Sequence, residues 1–550
     1  DSWKNNHTDG NDSWKKDDND GSWKKDSWSQ GDGDGSWKKS GGWSRARIQE
    51  WKQENREREQ KELEEEEAKW EAVDPGPAQA NANWAFRKSD DVVAQASIQS
   101  RRAELEITVQ GEPEGQSTAP FSAFADFNGA VPEYVMTALG EAGMSAPMPI
   151  QAQTLPITLR GYDLIGIAKT GSGKTMAFVL PAIAHIEAQT PIAAGEKTPM
   201  ALVLCPVREL AVQIANEANK LLWKSNTGNH PEGIGAVALY GGGFRIRNEQ
   251  IREMDRGWCQ LVVATPGRAV DLMGAGELVL NRVTYFVLDE ADRMLEGGFE
   301  EQMNQIAGDI RTDRQTLFFS ATWPLQVRKL ARNMCAAQPM RVTVGQVETG
   351  SGPTARADIV QEIVVFDGDS SWQDVEKKKH DMLYAHLRRE LQVVDNKILV
   401  FVNMKNLAWE LAGKLGEEGF SCDFMYGGRS QDARHEVIAK FKAGTTKLLV
   451  TTDVMARGLD IPGISHVVIF DMYGGIEEYV HRIGRTCRGL DGKGGHALSF
   501  FEYDHKFPEM AGELAAVLQS AGQVVPPELQ KIADEVASGV RSKKKQKWKY

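Results

Sequence analysis

At 550 residues the chain is too long for a single hydrophobic core, and its 41% apolar and 26% charged residues are those of an ordinary water-soluble protein. No stretch approaches the roughly 20 apolar residues of a membrane-spanning helix, and the five scattered cysteines lack metal-ligand spacing; this excludes a disulfide framework and fits a reduced nuclear or cytoplasmic setting. A net charge of −12 excludes a uniformly basic nucleic-acid binder but leaves room for a basic cleft on an acidic molecule.

Residues 1–44 repeat a short unit, Asp-Ser-Trp-Lys at 1–4, Asp-Ser-Trp-Lys-Lys at 12–16 and Gly-Ser-Trp-Lys-Lys at 21–25 and 35–39. Spaced by Asp, Asn, Gly and Ser, these tryptophans cannot bury a continuous face, so the segment is predicted to be disordered. It reads either as a solvated tail or as a grip in which Trp stacks on bases and Lys meets phosphates of a single strand. Residues 45–99 form a charged helical arm and linker, rich in Glu, Lys, Arg and Gln up to the breaker Asp74-Pro75-Gly76-Pro77.

Between residues 100 and 345, apolar runs at 163–168, 200–205, 260–264, 285–288 and 316–319 alternate with segments of helical spacing. Such alternation predicts right-handed βαβ crossovers and a parallel sheet buried on both faces, with ligands beyond the carboxyl ends of the strands. The first run breaks into Ala168-Lys169-Thr170-Gly171-Ser172-Gly173-Lys174-Thr175. A strand feeding a Gly-rich turn and a helix start aims backbone N–H groups and the helix dipole into one hollow, which suits phosphate. Lys174 can reach the β/γ-phosphates of ATP and the Thr175 hydroxyl can ligate Mg²⁺. The run 285–288 delivers Asp289 and Glu290 at its end, Asp289 to hold Mg²⁺ and Glu290 to orient or deprotonate a water.

A linker is expected at 346–357, and alternation restarts over 358–525 with runs at 359–366, 397–402, 422–426, 447–451, 466–470 and 496–501. This second α/β domain has no phosphate loop of its own. Residues 526–550 are a C-terminal extension whose basic end, Arg541 to Tyr550, suits either phosphate binding, a nuclear address or plain solubility.

In order the chain carries Pro149-Ile150-Gln151, the phosphate loop, Pro206-Val207-Arg208-Glu209-Leu210-Ala211, Thr265-Pro266-Gly267-Arg268, Asp289 to Asp292 and Ser320-Ala321-Thr322. It continues with Val400 to Asn403, Gln431 to Arg434, Thr452-Asp453 through Asp460, and Tyr479 to Arg488. Over residues 100–525 this set resembles the DEAD-box RNA helicases of superfamily 2, and the piece from Arg101-Arg102 through Ile107-Thr108-Val109-Gln110-Gly111 to Pro120 and Phe124 resembles the subgroup with an R…ItV.G…P…F leader. The resemblance implies two RecA-like domains in tandem with disordered tails, and an ATP hydrolase that binds ATP, Mg²⁺ and RNA, with ribonucleoproteins as further partners and no membrane.

It further implies that Gln151 reads adenine, that Phe124 or its rival Phe127 stacks on the base, and that Asp460 binds the ribose. Arg485 and Arg488 act as arginine fingers; Ser320 and Thr322, with His481 and Arg482, couple the nucleotide to RNA. Arg208, Gly241, Gly242, Thr265, Arg268, Arg434 and Thr452 form the RNA surface. Ala168 stands where the general phosphate-loop pattern has its first glycine, and Met148, Val207, Met455 and Cys487 depart from the family pattern. If Cys487 occupies a backbone needing φ > 0, its side chain costs on the order of 1 kcal/mol and could misplace Arg488. The rival functions are an ATP-gated RNA clamp that does not unwind and a DNA-directed translocase.

Overall fold

Short runs of Leu, Ile, Val, Phe and Ala between turns can satisfy their backbone only by pairing, and being apolar on both faces they must be covered on both. The computed structural model describes residues 58, 61, 62, 65 and 95–541, except 114–117, 128, 170, 194, 336–337, 346–354, 356–357, 368–370, 430, 453–460, 462, 473 and 487–493. The expected N-terminal tail, nearly all of the arm and linker, and the basic end lie outside these residues.

Two sheets carry the fold. The first contains β1 (Ile107–Gln110), β2 (Leu164–Ile167), β3 (Ala201–Leu204), β4 (Ala236–Leu239), β5 (Leu261–Ala264), β6 (Tyr285–Asp289), β7 (Gln315–Ser320) and β8 (Met340–Val344), in the order β1-β8-β2-β7-β6-β3-β5-β4. Every pairing is parallel except β1 with β8. The second contains β9 (Ile359–Phe366), β10 (Lys397–Phe401), β11 (Cys422–Met425), β12 (Leu448–Thr451), β13 (Ile464–Ile469) and β14 (Gly495–Glu502), in the order β11-β12-β10-β13-β14-β9 and parallel throughout. Each sheet has a separate apolar core on either face. Gly166 in β2 lies against the Phe319 ring, which a Cβ there would meet at 2.6 Å.

The apolar runs read from the sequence each contain or overlap a strand, whereas β1, β4 and β8 were not anticipated. The helix Pro527–Ala537, in what was expected to be a C-terminal extension, buries Leu529 and Ile532 in the second core.

The antiparallel edge explains the leader. β1 pairs with β8 from Ile107↔Val344 to Gln110↔Arg341, and Gly111 follows at φ +77°, 3.0 Å from the Pro339 carbonyl for any Cβ placed there. Just upstream, Arg102 is 3% exposed. Its guanidinium donates to Glu112 (2.6 and 2.8 Å), to Gln153 Oε1 (2.9 Å) and to the Thr118 carbonyl (2.9 Å), while Gln153 Nε2 donates to the same carbonyl (3.0 Å). The leader is thereby bolted to the helix Pro149–Thr158, which also carries Gln151.

Truncating one member of a buried ion pair leaves the other charge unanswered. Arg102→Ala is expected to cost about 3 kcal/mol in urea unfolding, and Arg102→Leu with Glu112→Leu distinctly less. Equal losses in the two variants would mean that packing, not the stranded carboxylate, sets the cost.

Candidate functional site

The carboxyl end of β2 runs into the phosphate loop. Gly171 and Gly173 adopt φ of +80° and +88°, which non-glycine residues rarely do, and the helix Lys174–Glu187 starts directly after them. The Ala168 N–H donates to the Ser320 carbonyl (3.1 Å), tying the loop to the end of β7. Lys174 is buried, its ammonium donating to the Ala168 carbonyl (2.8 Å). The Ser172 hydroxyl is buried without a partner, an unmet polar atom inside a cradle of N–H groups. Lys169 and Thr175 are half-buried beside it, and Thr170 lies outside the described residues. A glycine-lined hollow with a lysine held on a carbonyl and an orphaned hydroxyl fits a polyphosphate.

Gln151 closes one side. Its amide oxygen accepts from the Met148 N–H (3.0 Å) and its amide nitrogen donates to the Gly173 carbonyl (2.9 Å). A Cβ on Gly173 would run into Gln151 Nε2 and Met148 Sδ, so the loop glycine and the glutamine are made for each other's outline. Met148 stands at the N-cap with no hydroxyl to answer Gln151, and Val207 likewise caps Arg208–Leu221 without a side-chain hydrogen bond. Phe124 and Phe127 do not take the place expected of a base-stacking ring. They are 3% and 1% exposed, stack on each other with centroids 5.9 Å apart, and pack with Phe121 in the core, so neither offers an open face.

At the end of β6 three acids meet. Glu290 sits at φ +54°, ψ +51°, a left-handed conformation that for a glutamate costs on the order of 1 kcal/mol, and this turn releases the strand into the helix Ala291–Glu296. Its carboxylate lies 3.5 Å from Arg293 Nη1. Asp289 is buried and pushed up to about 7, chiefly by loss of water, against the pull of Lys174 and with the charge of Glu290 adding to it. A buried carboxylate this costly to ionise, near the Thr175 hydroxyl's helix start, is a donor set suited to Mg²⁺. Asp292 goes the other way. Burial opposes its charge, yet His481, the Thr322 hydroxyl, Lys174 and Ser320 together hold it below the usual carboxylate range. Its Oδ2 accepts from the Thr322 N–H (3.0 Å) and hydroxyl (2.8 Å).

His481 belongs to the helix Ile476–Ile483 of the second lobe, so Ser320, Thr322 and His481, three residues expected to couple nucleotide to RNA, all favour the charged form of Asp292. Arg482 and Arg485 are each 2% exposed. Arg482 donates to the Asp471 carbonyl and to Asn403 Oδ1, both at 3.2 Å, and is a brace inside its own lobe. Arg485 Nε donates to the His481 carbonyl at 3.4 Å. Arg488, Asp460 and Cys487 lie outside the described residues.

Of the expected RNA contacts, Gly241 and Gly242 are exposed, while Thr265 and Thr452 are half-buried at the carboxyl ends of β5 and β12. The arginines differ from expectation. Arg268, 6% exposed, donates to Gln250 Oε1 (2.7 Å) and to the Gly242 carbonyl (3.0 Å) and lies 3.3 Å from Asp271. Arg208 donates to the Gly241 carbonyl and lies over the Tyr240 ring. Arg434 is buried in an ion pair with Glu209 of the first lobe. Their guanidiniums are spent on holding the glycine loop and joining the lobes. Sequence reasoning missed Glu209, which an acid beside Arg208 in a motif signals only weakly, and Phe244, 77% exposed just after the glycines.

Comparison with known proteins follows this layout. Residues 148–330 match the DEAD/DEAH box helicase family and 378–489 the helicase conserved C-terminal domain. The ATP-dependent RNA helicase DBP2 of Candida albicans is 42% identical over 448 residues, 81% of this chain and 74% of that protein. Its namesake in Saccharomyces cerevisiae S288c is 40% identical over 444 residues, 81% and 74%. Among solved structures, S. cerevisiae Dbp5 bound to RNA and ADP BeF3 superposes with a TM-score of 0.57 at 28% identity, covering 74% of this chain and 99% of that one. Mss116p bound to ssRNA and AMP-PNP gives 0.62 at 25% identity, 78% and 84%.

A carboxyl raised from its ordinary 3.8 to about 7 leaves stability intact below 3.8, where both states are protonated, and the stability is lost progressively as pH rises from there, the loss being complete above about 7. Asp289→Asn is therefore expected to stabilise the nucleotide-free chain by on the order of 2–4 kcal/mol at pH 8 and by about half that or less at pH 5. Urea unfolding at the two pH values checks this; a gain independent of pH would rule out a charge cost at Asp289.

Proposed function

Because the chain belongs to the DEAD-box family of ATP-dependent RNA helicases, we propose that its two lobes form one nucleotide site whose closing grips RNA and whose reopening releases it. The protein is an ATP-dependent RNA helicase: it uses ATP and binds RNA. Among the described residues no helix is long and apolar enough to cross a membrane. The observation that carries the proposed cycle is Asp292, an acid of the first lobe held in its charged form by Thr322 beside it and by His481 of the second lobe.

The roles are those that family membership implies, and the arrangement of the described residues supports several of them. Lys174 leaves the Ala168 carbonyl for the β/γ-phosphates, which receive the N–H groups of Gly171 to Thr175 and the unmet Ser172 hydroxyl. Thr175 and Asp289 would hold Mg²⁺, which when bound supplies neutralisation of phosphate charge and orientation of the triphosphate. Glu290, fixed by its left-handed turn, orients or deprotonates the attacking water. Gln151 reads adenine from the edge it now uses to hold Met148 and Gly173. Asp460 takes the ribose, and Arg485 and Arg488 stabilise charge on the transferred phosphoryl group.

RNA lies across both lobes. Gly241, Gly242, Thr265 and Thr452 meet its backbone, with Arg208, Arg268 and Arg434 shaping that face, so contact is largely independent of sequence. Closure is favoured by ATP and RNA jointly because each makes contacts only the closed form completes. Distortion of one strand of a short duplex then frees its partner, and the same force applied to a bound protein remodels a ribonucleoprotein.

Lys174→Ala and Arg485→Ala are each expected to lower RNA-stimulated ATP turnover at least 100-fold, as loss of phosphate and finger contacts does elsewhere. Undiminished turnover in either variant would overturn the shared site. Glu209→Gln, which strands Arg434, is expected to weaken ATP-dependent RNA binding roughly tenfold or more while ATP-independent binding changes little. Fluorescence anisotropy on a labelled single strand, with and without a non-hydrolysable nucleotide, reads both; an equal loss in the two conditions would mean that the pair serves the lobes separately rather than their closure.

A further inference from the structure

The second lobe contains a cluster that the helicase cycle does not use. His466 in β13 and His496 in β14 are register partners on neighbouring strands, and His386, from the helix Trp372–Glu390, packs over them. Ring centroids are 5.3 Å apart for His386–His466, 5.5 Å for His386–His496 and 5.3 Å for His466–His496. One ligand-capable nitrogen from each ring lies within 4.8 Å of the others. Three imidazoles so close are a poor use of a core unless something is shared between them.

Two of those nitrogens are orphans. His386 Nε2 and His496 Nδ1 are buried with no hydrogen-bond partner, and His386 is only 4% exposed. Three further ring nitrogens have polar neighbours: His496 Nε2 lies 3.4 Å from Glu362 Oε2, His466 Nε2 lies 3.2 Å from Glu390 Oε2, and His466 Nδ1 lies 3.0 Å from Ser465 Oγ. His496, with one nitrogen unpartnered and the other on a carboxylate, has the arrangement that orients a histidine on a metal, whereas His466 gives up Ser465 or Glu390 to ligate. His386 also sits in the last turns of its helix, where the exposed carbonyls favour a cation. Arg389, paired to the other oxygen of Glu390, is the positive charge nearest this group.

From this juxtaposition we propose that His386, His466 and His496 bind one divalent transition-metal ion of the zinc class, with the fourth position left to water. Nitrogen ligands of borderline softness suit Zn²⁺ and its analogues Co²⁺ and Ni²⁺ and do not suit Mg²⁺. A tetrahedral ion with Zn–N bonds of ~2.0–2.1 Å needs nitrogens about 3.3–3.4 Å apart, so the rings draw in by about 1 Å through side-chain rotation. The site lies near the starts of β13 and β14, whereas nucleotide chemistry in such sheets lies beyond the strands' carboxyl ends. An ion here clamps a helix to two central strands of the second lobe and leaves ATP hydrolysis to the other end.

The test uses the full chain without a polyhistidine tag, stripped by chelator and titrated with Zn²⁺ against a chromophoric competitor, then with Co²⁺ followed by its visible absorption. One tight equivalent per chain and a tetrahedral Co²⁺ spectrum are expected, with affinity at least tenfold weaker in His466→Gln and in His496→Gln. His496 is partly exposed, so its variant is expected to fold and to keep RNA-stimulated ATP turnover in metal-free Mg²⁺ buffer, which also separates failure here from failure of the helicase reading. Wild-type Zn²⁺ affinity no tighter than that of the double variant His466→Gln/His496→Gln overturns the proposal, as does an octahedral Co²⁺ spectrum.

Discussion

Three carboxylates delivered by a strand buried on both faces are the constraint the first lobe is built around. Asp289, Glu290 and Asp292 are each under a tenth exposed, and an acid in such a place must be neutralised, paired or hydrogen-bonded. Each is treated differently. Asp292 is kept charged by hydrogen bonds from Thr322 and by His481 across the lobes. Glu290 sits on a strained, left-handed backbone and is set near Arg293. Asp289 is left incompletely answered, its charge opposed by burial and only partly favoured by Lys174. An acid that is expensive to ionise alone is one that gains most from a cation arriving with the triphosphate, so the site's weakness in the empty state is the source of its affinity in the loaded one.

The same logic extends outward from Gln151. The glutamine touches the phosphate loop through Gly173, and its helix is anchored through Gln153 to Arg102 and Glu112 of the leader. The leader and the phosphate loop are therefore each hydrogen-bonded to the same helix, Pro149–Thr158. Loops move unless their backbone is tied down; here the Ala168 N–H on Ser320 provides a second tie, this time to the strand that ends in the coupling residues. Nucleotide at the loop and the Ser320–Thr322 turn are thus linked through single bonds.

Much of this was legible in the residues. The glycine loop, the acids after Tyr285–Leu288 and the buried parallel strands follow from hydrophobic runs ending in chemistry-bearing residues, and each run contains or overlaps an observed strand. The unread parts share a physical cause. β1, β4 and β8 lie at or next to the edges of their sheet; Thr, Gln and Arg break the apolar signal of β1 and β8, while β4, Ala-Val-Ala-Leu, is half alanine, which has little strand preference. Phe124 and Phe127 look from sequence like free aromatics because composition does not reveal that they stack on each other. Burial of Arg268 and Arg434 was illegible for the same reason: their partners Gln250, Gly242 and Glu209 are distant in the chain or belong to the opposite lobe.

Those occupied arginines bear on how a chain of net charge −12 holds a polyanion. Had Arg208, Arg268 and Arg434 pointed free charge at phosphates, affinity would rest on counterion release and fall steeply with salt. Instead two of them hold the carbonyls of Gly241 and Gly242, so the loop's shape is fixed before RNA arrives, and the third is neutralised by Glu209. On this reading the strand meets exposed glycine backbone and the threonines Thr265 and Thr452, groups that fit a sugar-phosphate chain by outline and reveal nothing of its bases. A surface that grips by shape also depends on both lobes being in register, and the buried Glu209–Arg434 pair is a contact that sets that register. On this reading, arginines held on loop carbonyls and on Glu209 make binding lean on closure, which is what a nucleotide-driven cycle requires and what a permanently basic groove would defeat.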